Sequence, residues 1–356
     1  MNKDPFDFEQ ELRSQDCRFY KLSSEQCAKN LKRTKDLVFF TGAGFSKAWN
    51  SNYPLGFELF SIEDIDAVDN SYNFIRLADE LHITRPVESD SKFPEQCYEY
   101  FSEIKFHLDI FKRYPSLMPK VLDSTTISMF EREISTFILQ RFKEMVGDDE
   151  LNLDSKKELN NNLIKIFKEL SYSSSNLTFL STNYDYIIEK IFTQIGINNL
   201  NRGIVDREQF NNKSWGTSEV NLFKLNGGFE VYSDSSGFHL AYGRLESPEI
   251  ILPSKDQSYD SSYYKNMFTK SASNLRDASK LIFVGYSLPE EDHTIRLLLK
   301  SFIDYTGRDK EIYVINRNLE SSLNICEKVA TLFPVLAENN SIFAIEGSLE
   351  QLSEHV

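Results

Sequence analysis

A short apolar run that ends in a glycine turn is the feature that most constrains the fold of this sequence. Residues 37 to 40 read Leu-Val-Phe-Phe, and Thr-Gly-Ala-Gly-Phe-Ser follows at 41 to 46. Glycine allows a close approach of the backbone to a ligand, and the free N–H groups at a helix start attract phosphate. The pattern therefore indicates a strand, a turn and a helix. By itself it is equally typical of a structural connection and of a phosphate site.

Three later segments repeat this pattern, in which a strand-like apolar run ends in small or polar residues. The runs at 177–181, 222–225 and 280–284 are followed by Thr-Asn-Tyr-Asp at 182–185, Asn-Gly-Gly at 226–228 and Gly-Tyr-Ser at 285–287. Because parallel strands end at the same edge of a sheet, we expect these tips to face one crevice. Strands that alternate with helical patterns predict an α/β fold with a Rossmann-like, doubly wound and mostly parallel sheet.

Residues from about 50 to 175 show little strand character. Apolar side chains recur there at helical spacing, for example at Phe101, Ile104, Leu108 and Phe111. This spacing predicts a helical insertion whose stripes form packing surfaces. The serine-rich stretch 171–175 is expected to be a loop. We predict an N-terminal helical segment at 1–35, with a helix start near Ser23, and one domain at 36–356 that contains the insertion.

Charge and cysteine content limit the partners and the location that we expect. Lysine and arginine total 40 against 54 aspartate and glutamate residues, so the net charge of −14 argues against direct binding of nucleic acid. No apolar stretch reaches the 18 residues that a membrane span needs. The four cysteines are scattered without a CxxC pair, which predicts no metal site and a cytoplasmic location.

The motifs together resemble the sirtuin family, and in particular its divergent bacterial branch of antiphage-defence proteins that consume NAD. Residues 42–46 resemble the GAGxS opening, and 182–185 resemble the TxNxD segment. Lys-Leu-Asn-Gly at 224–227 stands in the place of (K)LHG, and 285–292 resembles GYSLPxxD. Asn316 matches the asparagine that ends a late strand. The resemblance extends from about residue 36 to 350 in the expected order.

This resemblance implies an NAD site. The residues it places around the phosphates and the adenosine half are Gly42, Ala43, Gly44, Phe45, Ser46, Thr182, Gly285, Ser287 and Asn316. Asn183 would orient the attacking water or the ribose, and Asp185 would hold the nicotinamide carboxamide. Read from the residues alone, Asn183 is equally well a helix cap and Asp185 a favourable charge in the first turn of a helix. Asp292 is expected to cap the helix that follows it.

Asn226 departs from the family pattern, because it stands where the family has its histidine base. An amide cannot accept a proton at neutral pH, whereas imidazole can. The resemblance implies an NAD+ glycohydrolase that releases nicotinamide and ADP-ribose and depletes NAD in antiphage defence. The alternatives are a non-catalytic subunit that binds NAD or ADP-ribose, and a protein lysine deacylase. Expected partners are further copies of this chain and a ring-forming translocase ATPase.

Overall fold

A seven-stranded sheet forms the centre of the computed structural model, which describes residues 19–153, 160–198, 200–203, 220–235, 237–252, 257, 259–304 and 309–356. The strands are β1 (Tyr20–Ser23), β2 (Asp36–Thr41), β3 (Asn176–Ser181), β4 (Val220–Lys224), β5 (Val231–Asp234), β6 (Gly237–Leu240), β7 (Lys280–Val284), β8 (Glu311–Ile315) and β9 (Ile342–Glu346). Strands β5 and β6 pair as an antiparallel hairpin outside the main sheet.

Helices cover the sheet and are joined to its strands by turns and loops. They are α1 (Ser24–Lys32), α2 (Ala43–Trp49), α3 (Gly56–Leu59), α4 (Ile65–Ser71), α5 (Ile75–Glu80), α6 (Phe93–Arg113), α7 (Ser124–Val146), α8 (Asn161–Ser173), α9 (Ile187–Ile195), α10 (Ser262–Asp277), α11 (His293–Lys300), α12 (Leu319–Leu332), α13 (Pro334–Glu338) and α14 (Leu349–Leu352). Four short 3₁₀ helices lie at Pro115–Leu117, Asp148–Leu151, Ser301–Ile303 and Ser353–His355.

The order of the main sheet, β1-β9-β8-β7-β2-β3-β4, confirms the predicted Rossmann-like fold. Every neighbouring pair of its strands is parallel. From β2 the chain builds outward through β3 and β4, and it then returns to β7 on the other side of β2. The strand order therefore reverses between β2 and β7. In open α/β sheets, ligands bind beyond the carboxyl ends of the strands at such a switch point.

The central strands are apolar on both faces because helices cover both faces. Phe39 belongs to one core and stacks on Phe179 with ring centroids 5.3 Å apart. The next residue, Phe40, points into the other core and lies 5.8 Å from Phe283. Full burial of each such side chain contributes roughly 1.5–3 kcal/mol. The run of consecutive apolar residues in β2 is thus explained by a doubly covered parallel strand.

The described residues of the insertion between β2 and β3 form helices α2 to α8, joined by turns and loops, and contain no strand. The predicted stripe on α6 is buried, as is the matching stripe on α7 that carries Phe130, Ile134, Phe137, Ile138 and Phe142. Phe101 and Phe137 join the two helices with ring centroids 6.3 Å apart. The division of the chain at residue 36 stays a prediction.

Two local predictions were wrong. Residues 20–23, which we predicted to be helical, form edge strand β1, whose Leu22 pairs with Ile345 of β9. Four residues are too few to show a strand period, and their partner lies at the far end of the chain. Helix α1 does begin where predicted, with Ser23 as its N-cap. The serine-rich stretch is also not a loop throughout, because α8 continues to Ser173. Residues 1–18 lie outside the described part.

Candidate functional site at the carboxyl edge of the sheet

The tips of the central strands meet at one edge, as the sequence predicts. The Thr182 N–H donates to the Thr41 carbonyl oxygen at 3.1 Å, which joins the ends of β3 and β2. The Leu225 N–H donates to the Ser181 oxygen at 2.8 Å, which joins β4 to β3. On the other side of β2, the Gly42 N–H donates to the Val284 oxygen at 3.2 Å. The four predicted turns therefore line the switch point.

Three predicted site residues are hydrogen bonded to one another there. The Ser46 hydroxyl donates to Asp185 Oδ2 at 2.5 Å and accepts from Asn183 Nδ2 at 2.8 Å. Asn183 Nδ2 also donates to the Gly42 carbonyl oxygen at 2.9 Å. Ser46 and Asp185 are buried, and Asn183 is half-buried. We call Ser46, Asn183 and Asp185 the polar triad.

The triad orients the amide of Asn183. Both hydrogens of its Nδ2 have acceptors, whereas its Oδ1 accepts no hydrogen bond from the described residues. A fixed amide with an open acceptor is suited to hold a hydroxyl or a water molecule. The helix-cap interpretation of Asn183 fails, because α9 has Tyr186 as its N-cap. Asp185 does interact with the start of α9, because its Oδ1 accepts a hydrogen bond from the Ile187 N–H at 3.1 Å.

The carboxyl group of Asp185 is electrostatically costly in this position. Burial raises its pKa above the usual range, and the Ser46 hydrogen bond and the charge of Lys224 offset only part of that rise. Glu230 raises the pKa further by repulsion. Lys224 Nζ also donates to the main-chain oxygen of Asp185 at 2.5 Å. A buried carboxyl group that its surroundings hold in place is typical of functional sites, although structural networks show it too.

The glycines at 42 and 44 have a packing reason that the sequence did not reveal. A Cβ on Gly44 would lie 2.7 Å from Gly285 Cα, and a Cβ on Gly42 would lie 2.9 Å from the Gly285 oxygen. Gly285 has φ +62°, and a Cβ there would lie 2.2 Å from the Phe45 nitrogen. Glycine is therefore required so that the two strand tips can touch.

The backbone of this turn also differs from the predicted phosphate cradle. The Gly44 N–H donates to the Gly285 oxygen at 2.9 Å, and the Phe45 N–H donates to the Gly42 oxygen at 2.8 Å. The Phe45 side chain is buried in the core, 6.0 Å from the Phe167 ring. These N–H groups are engaged within the protein, so the glycines serve packing. Ala43 is half-buried at the start of α2.

The remaining predicted residues lie at neighbouring tips without a direct hydrogen bond to the triad. Ser287 is exposed, and its carbonyl oxygen accepts from Lys328 Nζ at 3.0 Å. Asn316 is half-buried, and its Oδ1 accepts from the Arg317 N–H. Asp292 is the N-cap residue of α11, as predicted, but its side chain makes no capping hydrogen bond. Its Oδ2 instead accepts from the Tyr286 hydroxyl at 2.5 Å, because the glycine turn brings Tyr286 within reach.

Asn226 lies at the tip of β4, next to β3. Its side chain is buried, and its Oδ1 accepts from the Tyr259 hydroxyl at 3.0 Å. Gly227 follows with φ +78°, where a Cβ would lie 2.0 Å from the Glu249 oxygen, so the turn after Asn226 is fixed. The position of the expected base is thus occupied by an amide whose oxygen already has a donor.

Sequence reasoning missed a buried group of four charges beneath the triad. Lys224 Nζ lies 2.8 Å from Glu189 Oε1 and 2.9 Å from Glu230 Oε2. Arg202 Nη1 lies 2.7 Å from Glu189 Oε1, and Arg202 Nη2 bonds to Glu230 Oε1. We call these four residues the ion quartet. The available signal was the presence of charged residues within otherwise apolar β4 and α9.

Comparison with known proteins identifies the family of the central segment. Residues 177–333 match the family model of the SIR2-like domain. This segment is similar to SIR2-like domains. It contains β3, β4, β7 and β8, with two triad residues, the ion quartet and Asn226. The sirtuin resemblance is therefore confirmed over this part of the chain, and the bacterial defence branch stays a prediction.

Solved Sir2 structures resemble the whole chain at low identity. A Sir2 homologue in complex with NAD is 13% identical, with 95% of each chain covered and a TM-score of 0.43. A structure described for the mechanism and regulation of Sir2 enzymes is 12% identical, with 93% of this chain and 94% of the other covered and a TM-score of 0.41. No curated protein matches the sequence significantly.

Two further findings concern the described residues only. None of their helices is long and apolar enough to cross a membrane. Their His, Cys, Asp and Glu side chains form no group of three that could hold a metal ion. Cys27, Cys97 and Cys326 are buried free thiols, and Cys17 lies outside the described part.

Proposed function

We propose that this protein binds NAD+ at the switch point and cleaves the bond between nicotinamide and ribose, releasing nicotinamide and ADP-ribose. The observation that carries the proposal is the polar triad, in which Ser46 joins Asn183 and Asp185 at the crevice of a Rossmann-like sheet. The SIR2-like domain around two of its members supports the choice of NAD.

The triad suits the chemistry of this cleavage. Positive charge develops on the ribose carbon as nicotinamide leaves, so the reaction benefits from oriented polar groups in a dry site. Asn183 Oδ1 would accept a hydrogen bond from a ribose hydroxyl or from the attacking water. The Asp185 carboxylate would accept from the carboxamide N–H of nicotinamide. Ser46 holds both side chains, which limits the reorganisation needed during the reaction.

Asn226 sets the expected rate. Its amide cannot take up a proton, and loss of a general base commonly costs about 10²- to 10⁴-fold in rate. Water attack on a dissociative transition state needs less help from a base than deacylation does. We therefore expect slow release of nicotinamide by this chain.

Calorimetry with NAD+ and a nicotinamide-release assay test the proposal. Asn183→Ala should abolish both the binding heat and the release, because it removes the open acceptor at the crevice. Asn30→Ala is the matched control, since Asn30 is also half-buried and donates to the Tyr313 hydroxyl at 3.2 Å on a different element. Unchanged NAD+ binding by Asn183→Ala would refute the site assignment.

A non-catalytic subunit that binds NAD or ADP-ribose is the second candidate, and Asn226 favours it. Binding of NAD+ without nicotinamide release, also with the candidate partner present, would support that function. Turnover of an acylated lysine peptide would support the deacylase instead. The two assays therefore separate all three functions.

The biological role that we propose is antiphage defence by NAD depletion, in a homo-oligomer or with a ring-forming translocase ATPase. The support is the resemblance of the motifs to defence sirtuins. Mass measurement in solution, with the chain alone and mixed with such an ATPase, checks the assembly. Finding only the monomer in both samples would contradict it.

A further inference from the structure

The ion quartet lies in the interior, where charge is expensive. The side chains of Lys224, Arg202, Glu189 and Glu230 are each 5% exposed or less. Two cations and two anions balance, yet Glu189 Oε2 and Arg202 Nε have no hydrogen-bond partner among the described residues. Buried ion pairs often contribute little net stability compared with apolar side chains of the same volume. Stability alone therefore gives a poor account of the quartet.

The two carboxyl groups respond differently to this environment. Burial raises the pKa of Glu189, and Lys224 and Arg202 offset only part of the rise. Burial acts on Glu230 in the same direction, but the two cations, each of which bonds to it, hold its pKa below the usual range. Glu230 is thus the firmly ionised partner of Lys224.

Lys224 connects the quartet to the polar triad. Its Nζ donates to the main-chain oxygen of Asp185, while the side chain of Asp185 is held from the opposite element by Ser46. The preceding carbonyl oxygen, that of Tyr184, accepts from the Phe229 N–H at 3.0 Å. The turn at 182–185 is therefore held from β4 and its following connection as well as from α2.

The quartet also brings together segments that are distant in sequence. Glu189 lies on α9, directly after the turn, and Lys224 ends β4 two residues before Asn226. Arg202 lies in the connection before β4 and bonds to Glu189, whereas Glu230 lies in the connection after β4 and bonds to Lys224. Arg202 and Glu230 also bond to each other. One charged group thus joins the elements that carry Asn183, Asp185 and Asn226.

We propose that Lys224 and its quartet partners act as positioning residues, which hold the turn at 182–185 so that Asn183 and Asp185 face the ligand. The NAD arm of the proposal rests on the proposed function. The placement of the turn does not, and it is tested without any ligand.

The test compares Lys224→Met with Lys190→Met. Lys190 is a matched control because it lies on α9, is 4% exposed and pairs with Glu150 Oε2 at 2.7 Å, but it is not bonded to Asp185. Both variants lose one buried cation. Lys224→Met loses the ion pairs with Glu189 and Glu230, and Lys190→Met loses the ion pair with Glu150. In hydrogen exchange on the ligand-free protein, Lys224→Met should speed exchange of the amides at 183–189 at least tenfold. Lys190→Met should leave residues 183–185 within about twofold of the unmodified protein.

NAD+ titration of the same proteins gives the second readout. We expect Lys224→Met to weaken binding at least tenfold and Lys190→Met to change it less than twofold, at temperatures where both are folded. Lys224→Met should also move the acidic limit of NAD+ binding to higher pH, because it removes the cation that lowers the pKa of Asp185. The other groups that face Asp185 are Ser46, Glu230 and Tyr53, and they are unchanged.

The outcomes separate the two proposals. If the unmodified protein does not bind NAD+, the proposed function fails, and the exchange experiment still decides the positioning role. Unchanged exchange at 183–189 in Lys224→Met overturns that role. An equal loss of NAD+ affinity in Lys190→Met also overturns it, because the effect would then be general destabilisation.

Discussion

Asn226→His should raise the rate of nicotinamide release, because it places a titratable base at the tip of β4. Asn226 is 8% exposed and its Oδ1 accepts from the Tyr259 hydroxyl. One imidazole nitrogen can donate its N–H to the Tyr259 hydroxyl oxygen, because that hydroxyl can direct its own hydrogen to Gln257 Oε1. The other nitrogen, which is unprotonated, would then face the ribose as the base. Tyr259 would then set the orientation of the new base, as partners of catalytic histidines do.

The expected gain follows from the size of base catalysis and from the fit of the ring. General-base catalysis commonly contributes about 10²- to 10⁴-fold. The imidazole ring is larger than the amide and must be accommodated in a buried site, which lowers the free energy of unfolding by about 1–3 kcal/mol. We expect the same strain to reduce the gain in rate. We therefore expect at least a tenfold increase, equivalent to about 1.4 kcal/mol off the barrier.

The assay is nicotinamide release as a function of pH. The rate of Asn226→His should rise with pH around the usual histidine pKa of about 6.5, whereas the unmodified chain should show no such rise. Asn226→Gln is the control for a larger side chain without a base. Adding Asn183→Ala to Asn226→His should remove the gain. The reasoning would be refuted if the unmodified chain cleaves NAD+ fast and Asn226→His does not change the rate. The base would then be another group.

Two further predictions concern stability. Gly285→Ala should lower the free energy of unfolding by about 3 kcal/mol or more, because φ is +62° and the new Cβ meets the Phe45 nitrogen. The control is Gly196→Ala, where φ is +90° but no atom lies within 4 Å of the new Cβ. That change should lower the free energy of unfolding by only about 1–2 kcal/mol. Equal losses in urea unfolding would contradict the packing account. For Asp185, burial raises the folded pKa, so its contribution makes stability fall as pH rises from the unfolded pKa of about 3.9 through the folded one. Asp185→Asn should remove this fall, so the variant should become more stable relative to the unmodified protein as pH rises between the unfolded and the folded pKa of Asp185. An identical pH dependence of the two proteins would show that Asp185 is not the responsible group.

Much of the candidate site was predictable, because it lies where strand-like runs end. The positions of Asn183, Asp185 and Asn226 at one edge follow from the parallel arrangement, which apolar runs and intervening helical patterns indicate. The role of Gly42 and Gly44 was not predictable in the same way. A glycine that admits a ligand and a glycine that admits another strand tip look the same in sequence.

The sequence by itself determined the fold class, the helical insertion and the order of the motifs, because local periodicity and turn residues act over a few positions. Tertiary structure alone decided which side chains touch. Strand β1 exists because Leu22 finds a partner in β9, and the ion quartet exists because Glu189, Arg202, Lys224 and Glu230 converge from four segments. The cost of burying each of these charges depends on partners that only folding brings within 3 Å, and sequence spacing carries no information about that.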